Sequence, residues 1–306
     1  MILKNKLLTR DQILSLLEIV SLAWPIAAIF MGIKIATNFA ISPSAFTWNT
    51  VAASIGILLN FGLRSDYINR TSFEKTFPWL GIGTLIVVGV TLISPGLEGV
   101  HRYISIGKFI SNPSAQLSPV ALFLVYYFIP RNLYFAISLA MVLSGIHFFQ
   151  PDAGQATSFG FSVVFLFAFA RKLPRAGRTI GCFFPLALAL ATWLRPDPLP
   201  SLPHVEGILH LSLQLDWPWI ALTFFLLIGL FIPFGTPFIK RARAAEDIVL
   251  PLSLLFYLAL TFVVTELGNY PVPVFGAGFS PVLGYYLAIA ASGWMRTTDP
   301  NDPSMQ

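Results

Sequence analysis

Four polar stretches interrupt an otherwise apolar chain, and each holds side chains that can bind a charged group or move a proton. Residues 94–116, SPGLEGVHRYISIGKFISNPSAQ, set Arg102 and Lys108 close to His101 and Tyr103. Cations beside an aromatic suit an anionic lipid head group; they also suit a re-entrant segment whose cations snorkel at a membrane interface. Residues 150–155, QPDAGQ, put Asp152 directly after Pro151 and two residues before Gly154. An Asp so placed caps the helix that follows, although a carboxylate at membrane depth is also a functional candidate. Residues 195–216, RPDPLPSLPHVEGILHLSLQLD, concentrate Asp197, His204, Glu206, His210 and Asp216. The spacing HxExxxH of His204, Glu206 and His210 matches no common zinc pattern, so no metal site is assigned. His204 or Glu206 facing a cavity can instead act as general base towards a hydroxyl, while Glu206 can equally be a solvated loop acid. Residues 266–280, ELGNYPVPVFGAGFS, carry three glycines and two prolines. Broken backbone of that kind is tolerated at membrane depth only where it lines a cavity or is buried in protein.

These stretches must be held by elements built from a chain of 306 residues, 56% hydrophobic and 11% charged. Soluble domains carry about 25% charged residues, so water would find too little polar surface here. Hydrophobic blocks recur along the whole length, the pattern of spanning helices in a solvent that offers no partner to a backbone amide. The net charge of +5 is modest and gives no nucleic-acid footprint. The single cysteine, Cys182, excludes an internal disulfide and a cysteine metal cluster. Lys4, Lys6 and Arg10 precede an apolar block that no small-residue cleavage site follows, so that block is expected to be a retained span.

Apolar blocks at 14–33, 48–63, 77–93, 117–128, 133–148, 158–170, 179–194, 217–239, 248–265 and 281–294 make ten candidate spans. With ten spans, fifteen of the nineteen basic residues fall on the side of the N-terminus. The other side keeps only Lys34, Arg102, Lys108 and Arg195. The positive-inside rule then puts both termini in the cytoplasm and all four polar stretches on the outer face. The expected fold is all-α: a polytopic integral membrane protein of about ten transmembrane helices, one domain over 1–306. Residues 1–12 form a cytoplasmic segment, 195–216 the principal outer loop and 296–306 a cytoplasmic tail.

Taken in order, the four stretches resemble the signature of the SEDS family, the RodA and FtsW type of peptidoglycan glycosyltransferase. Gly99, Arg102 and Tyr103 resemble its G-x-x-R-W; Asn112, Pro113, Ser114 and Ala115 resemble its Q-P-S-E-x-x-K. Gln150, Pro151, Asp152 and Gly154 match its Q/E-P-D-x-G. Leu202, Pro203, His204 and Glu206 stand where it has L-P-E-x-H-T-D, and residues 272–281 loosely follow its L-P-x-x-S-Y-G-G-S-S, with Ser280 near the end. The departures are as definite. Ala115 replaces a Glu, Ser118 a Lys and Tyr103 a Trp, and the third stretch is much shortened. The carboxylate nearest the family's catalytic Asp is Glu206, and a slip of one residue would put Gly207 there instead.

The resemblance implies a SEDS-like bundle with short re-entrant outer loops, in the bacterial inner membrane, serving cell shape or division. It implies transfer of glycan from a lipid II-type polyprenyl-pyrophosphate donor. Glu206 would be the catalytic base, Arg102 and Lys108 would bind pyrophosphate, and Tyr103 would meet sugar or lipid. Asp152, His204 and Ser280 complete the implied substrate-binding set. No resident cofactor is assigned, although a divalent cation can accompany a pyrophosphate donor. The implied partners are the lipid-linked precursor, membrane lipids and a class B penicillin-binding protein. The alternative, for which the lost cavity residues speak, is a degenerate member that binds precursor or scaffolds such a partner without catalysis. A small transporter fits less well, because the spans hold few ionisable residues, Glu18 and His147 being the main exceptions.

Overall fold

The structure, a computed structural model, describes residues 10–296 apart from 66, 108, 172 and 240–247. Most of the expected terminal segments, 1–12 and 296–306, therefore lies outside the described residues. The chain forms α1 (Arg10–Asn38), α2 (Thr47–Leu63), the short α3 (Arg70–Glu74) and α4 (Phe77–Val90). A hairpin, β1 (Ile104–Ile106) and β2 (Phe109–Ser111), precedes α5 (Pro113–Phe128), α6 (Leu133–Phe149), α7 (Ala153–Phe169) and α8 (Arg175–Thr192). The one-turn α9 (Ile208–Ser212) leads to α10 (Trp217–Gly229), α11 (Ile232–Ile239), α12 (Val249–Leu267) and α13 (Phe279–Arg296). With α10 and α11 taken as one interrupted rod, ten long rods stand among the described residues, one for each expected span.

Side chains face the wrong way for water. Leu58, Trp79, Ile86, Phe183 and Phe225 are each more than half exposed on the rods' outer surfaces, a belt only hydrocarbon can solvate. Four helical segments, Ser15–Asn38, Pro43–Leu63, Trp217–Gly235 and Val249–Leu267, are long and apolar enough to cross a membrane by themselves. The protein is an integral membrane protein. At its centre stands α5, which packs against α4, α6, α7, α12 and α13. None of its residues is exposed, as expected of a helix apolar on every side.

Three expected spans are corrected. The span placed at 217–239 is broken between Gly229 and Ile232. Pro233 has no N–H for the Gly229 carbonyl four residues back and its ring crowds that carbonyl; beside the break, the Leu230 carbonyl accepts the Tyr285 hydroxyl at 2.8 Å. Gly229 fits there because any Cβ would overlap the Trp24 indole, whose Nε1 donates to the Leu226 carbonyl at 2.8 Å. The spans placed at 117–128 and 158–170 start earlier, at Pro113 and Ala153. Asn112 caps the first, accepting from the Ala115 N–H at 3.2 Å with Pro113 at the opening position. Asp152 caps the second, accepting from the Gln155 N–H at 3.0 Å, the capping role its spacing suggested.

Candidate functional site

The connections 94–112, 150–152, 193–216 and 268–278 meet at one end of the bundle, hereafter the loop end. Their side chains and backbones bond to one another, so each stretch helps to place the others.

The first stretch folds back at the Leu97–Val100 bridge and continues into the β1–β2 hairpin, with Gly107 at φ 59° in its turn. This pins Arg102 inward. Its guanidinium Nη1 donates to Asp197 Oδ2 at 2.7 Å, and the residue is only 3% exposed. Burial opposes that charge, but Asp152, Tyr103 and Asp197 together outweigh it and raise the Arg102 pKa, so the cation is held firmly. The guanidinium carbon lies 5.3 Å from the Tyr103 ring centre. Burial raises the Tyr103 phenol, with Arg102 pulling the other way. Asp197 also accepts from the Leu199 N–H at 3.2 Å, which fixes its carboxylate.

Asp152, 2% exposed, uses its second oxygen to accept from Asn112 Nδ2 at 3.3 Å. Asn112 in turn donates its backbone N–H to Ser280 Oγ at 2.7 Å, and Ser280 also accepts from Gln116 Nε2 at 3.0 Å. One asparagine therefore ties Asp152 on the second stretch to Ser280 at the close of the fourth. The flanking glutamines extend this network inward. Gln150 donates to Thr91 Oγ1 at 2.6 Å and accepts from Ser114 at 2.9 Å. Gln155 donates to Ser118 Oγ at 2.6 Å and accepts from the Tyr270 hydroxyl at 2.7 Å, with the Tyr257 hydroxyl 3.0 Å from its Nε2.

Glu206 sits in a tight turn that it closes itself. Its Oε2 accepts from the Leu202 N–H at 2.7 Å, while its own N–H donates to the Leu202 carbonyl at 3.0 Å. Burial raises its pKa above the ordinary carboxylate range, the backbone N–H groups of Leu202 and of Glu206 itself and the Arg102 charge working against it. His204 is half-buried, and burial lowers its pKa. The backbone here is stitched to the fourth stretch: the Ala277 N–H donates to the His204 carbonyl at 2.8 Å and the Val272 N–H to the Val205 carbonyl at 3.1 Å. That stretch holds Val274 at φ 69°, a strained value for a β-branched residue. Asn49 on α2 clamps it, donating to the Gly276 carbonyl and accepting from the Gly278 N–H, both at 2.8 Å.

Arg102, Tyr103, Asp152 and Glu206 thus share one electrostatic neighbourhood, and Ser280 joins it through Asn112. His204 contributes its backbone carbonyl, and Lys108 lies outside the described residues. His210 pairs with Glu266 at 2.9 Å on the surface and takes no part in the Arg102 neighbourhood. A pocket of about 330 Å³ opens beside this network among α5, α11, α12 and α13, with Ala115, Tyr257, Tyr270 and Gly284 in its lining. Neither Arg102, Asp152 nor Glu206 lines it. The sequence marks Asp197 only as part of the charged cluster at 195–216 and Asn112 only within a motif match, neither with a role at the site, and it does not single out Asn49 or Gln155. The buried amides carried a signal, being strongly polar groups next to or inside apolar blocks; nothing marked Asp197 as the partner of Arg102, which lies 95 positions away.

Among the described residues no group of three or more His, Cys, Asp and Glu is arranged to hold a metal ion.

No protein-family model matches the chain, and no curated protein matches it. Solved structures do. The rod shape determining protein RodA of Thermus thermophilus is 20% identical with a TM-score of 0.66, covering 91% of this chain and 97% of that one. A point mutant of the same protein aligns equally well. A chain from a peptidoglycan synthase complex, described as coordinating polymerization and crosslinking, is 19% identical with a TM-score of 0.64, covering 91% of this chain and 98% of its own. The ten-rod bundle with its interlocked loop end is the SEDS-like fold of RodA.

Proposed function

We propose that this chain is a SEDS-like membrane glycosyltransferase in peptidoglycan synthesis, using a polyprenyl-pyrophosphate donor of the lipid II type. The loop end faces outward and both termini face the cytoplasm, a reading supported by the basic residues concentrated at the opposite end. The observation that carries the reading is the pairing of a half-buried carboxylate with a held cation in one field. Burial has made Glu206 a stronger base than a free carboxylate, and Arg102 stands close enough to influence it.

In the proposed reaction Glu206 takes the proton from an acceptor sugar hydroxyl as that oxygen attacks the anomeric carbon of the donor. The bond from that carbon to the pyrophosphate breaks, and the electron pair leaves with the pyrophosphate. Arg102 faces that growing negative charge, which displaces Asp197 from the guanidinium. Asp152, His204 and Ser280 position the substrate through the network they anchor, and Tyr103 offers an aromatic face to sugar or lipid. The likeness to a chain from a peptidoglycan synthase complex supports a class B penicillin-binding protein as partner.

A second reading rests on the same ion pair. With Arg102 buried against Asp197 and Ala115 lining an apolar pocket, the site also suits a protein that binds lipid-linked precursor, or scaffolds a penicillin-binding protein, without catalysis. Polymerisation of lipid II by the purified protein, alone and with a candidate partner, separates the two. Activity lost in Glu206→Ala supports the enzyme. Lipid II binding without turnover under every condition supports the second reading, and activity indifferent to Glu206→Ala removes that residue from the mechanism.

A further inference from the structure

At the opposite end of the bundle a second cleft is built around cations. Asn60, Leu63 and Arg64 at the close of α2, Arg70 at the start of α3, and Ala290, Gly293 and Trp294 of α13 line a shallow cleft that opens outward. Arg70 lies over the Trp294 ring, its guanidinium carbon 4.7 Å from the ring centre. Its Nη1 is buried with no hydrogen-bond partner. Burial lowers the Arg70 pKa more than Glu74 restores it, so the guanidinium lacks a full counter-charge. Arg64 is committed on one side only, its Nη1 standing 3.3 Å from Glu18 Oε2. Its Nη2 reaches the wall at Gly293, where even a Cβ would come within 3.4 Å. Deeper in the cleft, Asn60 gives its Nδ2 to the Gly56 and Tyr286 carbonyls at 2.9 and 3.0 Å. Its Oδ1 is buried without a donor.

Two guanidiniums with unused N–H groups call for an acceptor carrying negative charge, and Arg forks match phosphate oxygens. The Asn60 oxygen calls for a donor one turn deeper, such as a hydroxyl or ammonium. Buried polar groups left without partners cost about 1–3 kcal/mol each, so a ligand meeting both demands is favoured by the cleft itself. We propose that this cleft binds a phosphate group, presented by an anionic phospholipid head group whose hydroxyl reaches Asn60. Basic clefts between spanning helices at a membrane surface are suited to that chemistry. The site is independent of glycan transfer, being separated from the loop end by the length of α2 and α13.

The test uses the full chain in detergent, with thermal unfolding and native mass spectrometry as readouts. Three probes are compared: phosphatidylglycerol, phosphatidylcholine and inorganic phosphate. The expected result is stabilisation and retention by phosphatidylglycerol over phosphatidylcholine, weakened about tenfold in Arg64→Gln and Arg70→Gln, as for loss of a charge-assisted pair. Arg131→Gln, which removes a cation held over Tyr127 at the same end, should keep wild-type retention. Stabilisation by inorganic phosphate as well would assign the site to phosphate in general; stabilisation by phosphatidylglycerol alone would assign it to the lipid. The proposal is overturned if neither phosphate source is retained over phosphatidylcholine. It is equally overturned if Arg131→Gln lowers retention as much as the cleft variants, which would reduce the effect to diffuse surface charge. Helical circular dichroism in phosphatidylcholine confirms that each variant is folded before binding is compared.

Discussion

Arg102 and Asp197, 95 positions apart, meet at 2.7 Å with the guanidinium almost wholly buried. The contact locks the hairpin stretch to the shortened third stretch and so fixes the distance between the cation and Glu206. It also makes Asp197 the resident anion at the place where a donor's pyrophosphate would sit. Replacing Asp197 by Asn should therefore have opposite effects on stability and on binding. Removing one partner of a buried pair costs about 3–5 kcal/mol. Asp197 is 22% exposed and Asp152 still faces Arg102, so the loss should be about 2–3 kcal/mol, read as a lowered Tm. Affinity for a pyrophosphate-bearing lipid should rise, because the competitor has been removed. A variant that loses both stability and affinity would assign Asp197 to the binding surface itself.

The raised pKa of Glu206 fixes the sign of two pH effects. An acid whose folded pKa lies above its unfolded one binds more protons in the fold, so its contribution to stability falls as pH rises between the two values. Glu206→Gln should therefore gain stability relative to wild type as pH climbs out of the ordinary carboxylate range. Transfer activity should rise over the same region as the base form appears, with its midpoint above that of a free carboxylate. An acid limb that persists unchanged in Glu206→Gln would show that another group titrates.

Much of the bundle was legible in the sequence, because lipid imposes one strong rule on it. Apolar length and loop charge together found ten rods. They failed where polar residues enter a span with partners waiting inside. Hydropathy started the fourth and sixth spans late because Asn112, Ser114 and Gln155 read as loop. In the structure Asn112 caps α5, Ser114 bonds Gln150, and Gln155 is bonded to Ser118 and two tyrosines, so all three have their polar needs met inside the bundle. The site is the same lesson at a finer scale. Motif order singled out Arg102, Asp152 and Glu206, each of which carries its own chemical signal. Asp197 and Asn49 acquire meaning only from the residues that folding brings to them.

Gln155 is the hub on which three hydroxyls depend, and it is fully buried. Gln155→Met keeps the volume but leaves Ser118, Tyr257 and Tyr270 to find other partners in an apolar surround. The expected cost is about 2–4 kcal/mol, since each stranded hydroxyl forfeits about 1 kcal/mol or more. Tyr270→Phe should cost less alone, and the double variant less than the sum, with a coupling of about 1 kcal/mol in a double-mutant cycle. Additive losses would mean that the hydroxyl and the amide act independently.

Gly276 stands where the fourth stretch crosses the turn that carries Glu206. A Cβ there would strike the Val205 carbonyl and press on that of Val272; the first accepts the Val272 N–H that stitches the two stretches together, the second the N–H of Gly276 itself. Gly276→Ala cannot be absorbed by a side-chain shift, because the obstruction is backbone. The turn at 202–206 must move, and Glu206 with it. Misplacing a general base by about 1 Å can cost 10²-fold in rate, whereas overpacking at one site costs only about 1–3 kcal/mol in stability. Glycan transfer should therefore fall far more than Tm. Hydrogen exchange should rise at Val205 and Glu206, whose N–H groups close the turn, and at Val272 and Ala277, which donate across it, with α5 staying protected. If activity and Tm fell together and exchange rose throughout the bundle, Gly276 would be a packing residue with no particular bearing on Glu206. If transfer alone fell, the glycine-rich stretch would be the part of the fold that aims the base.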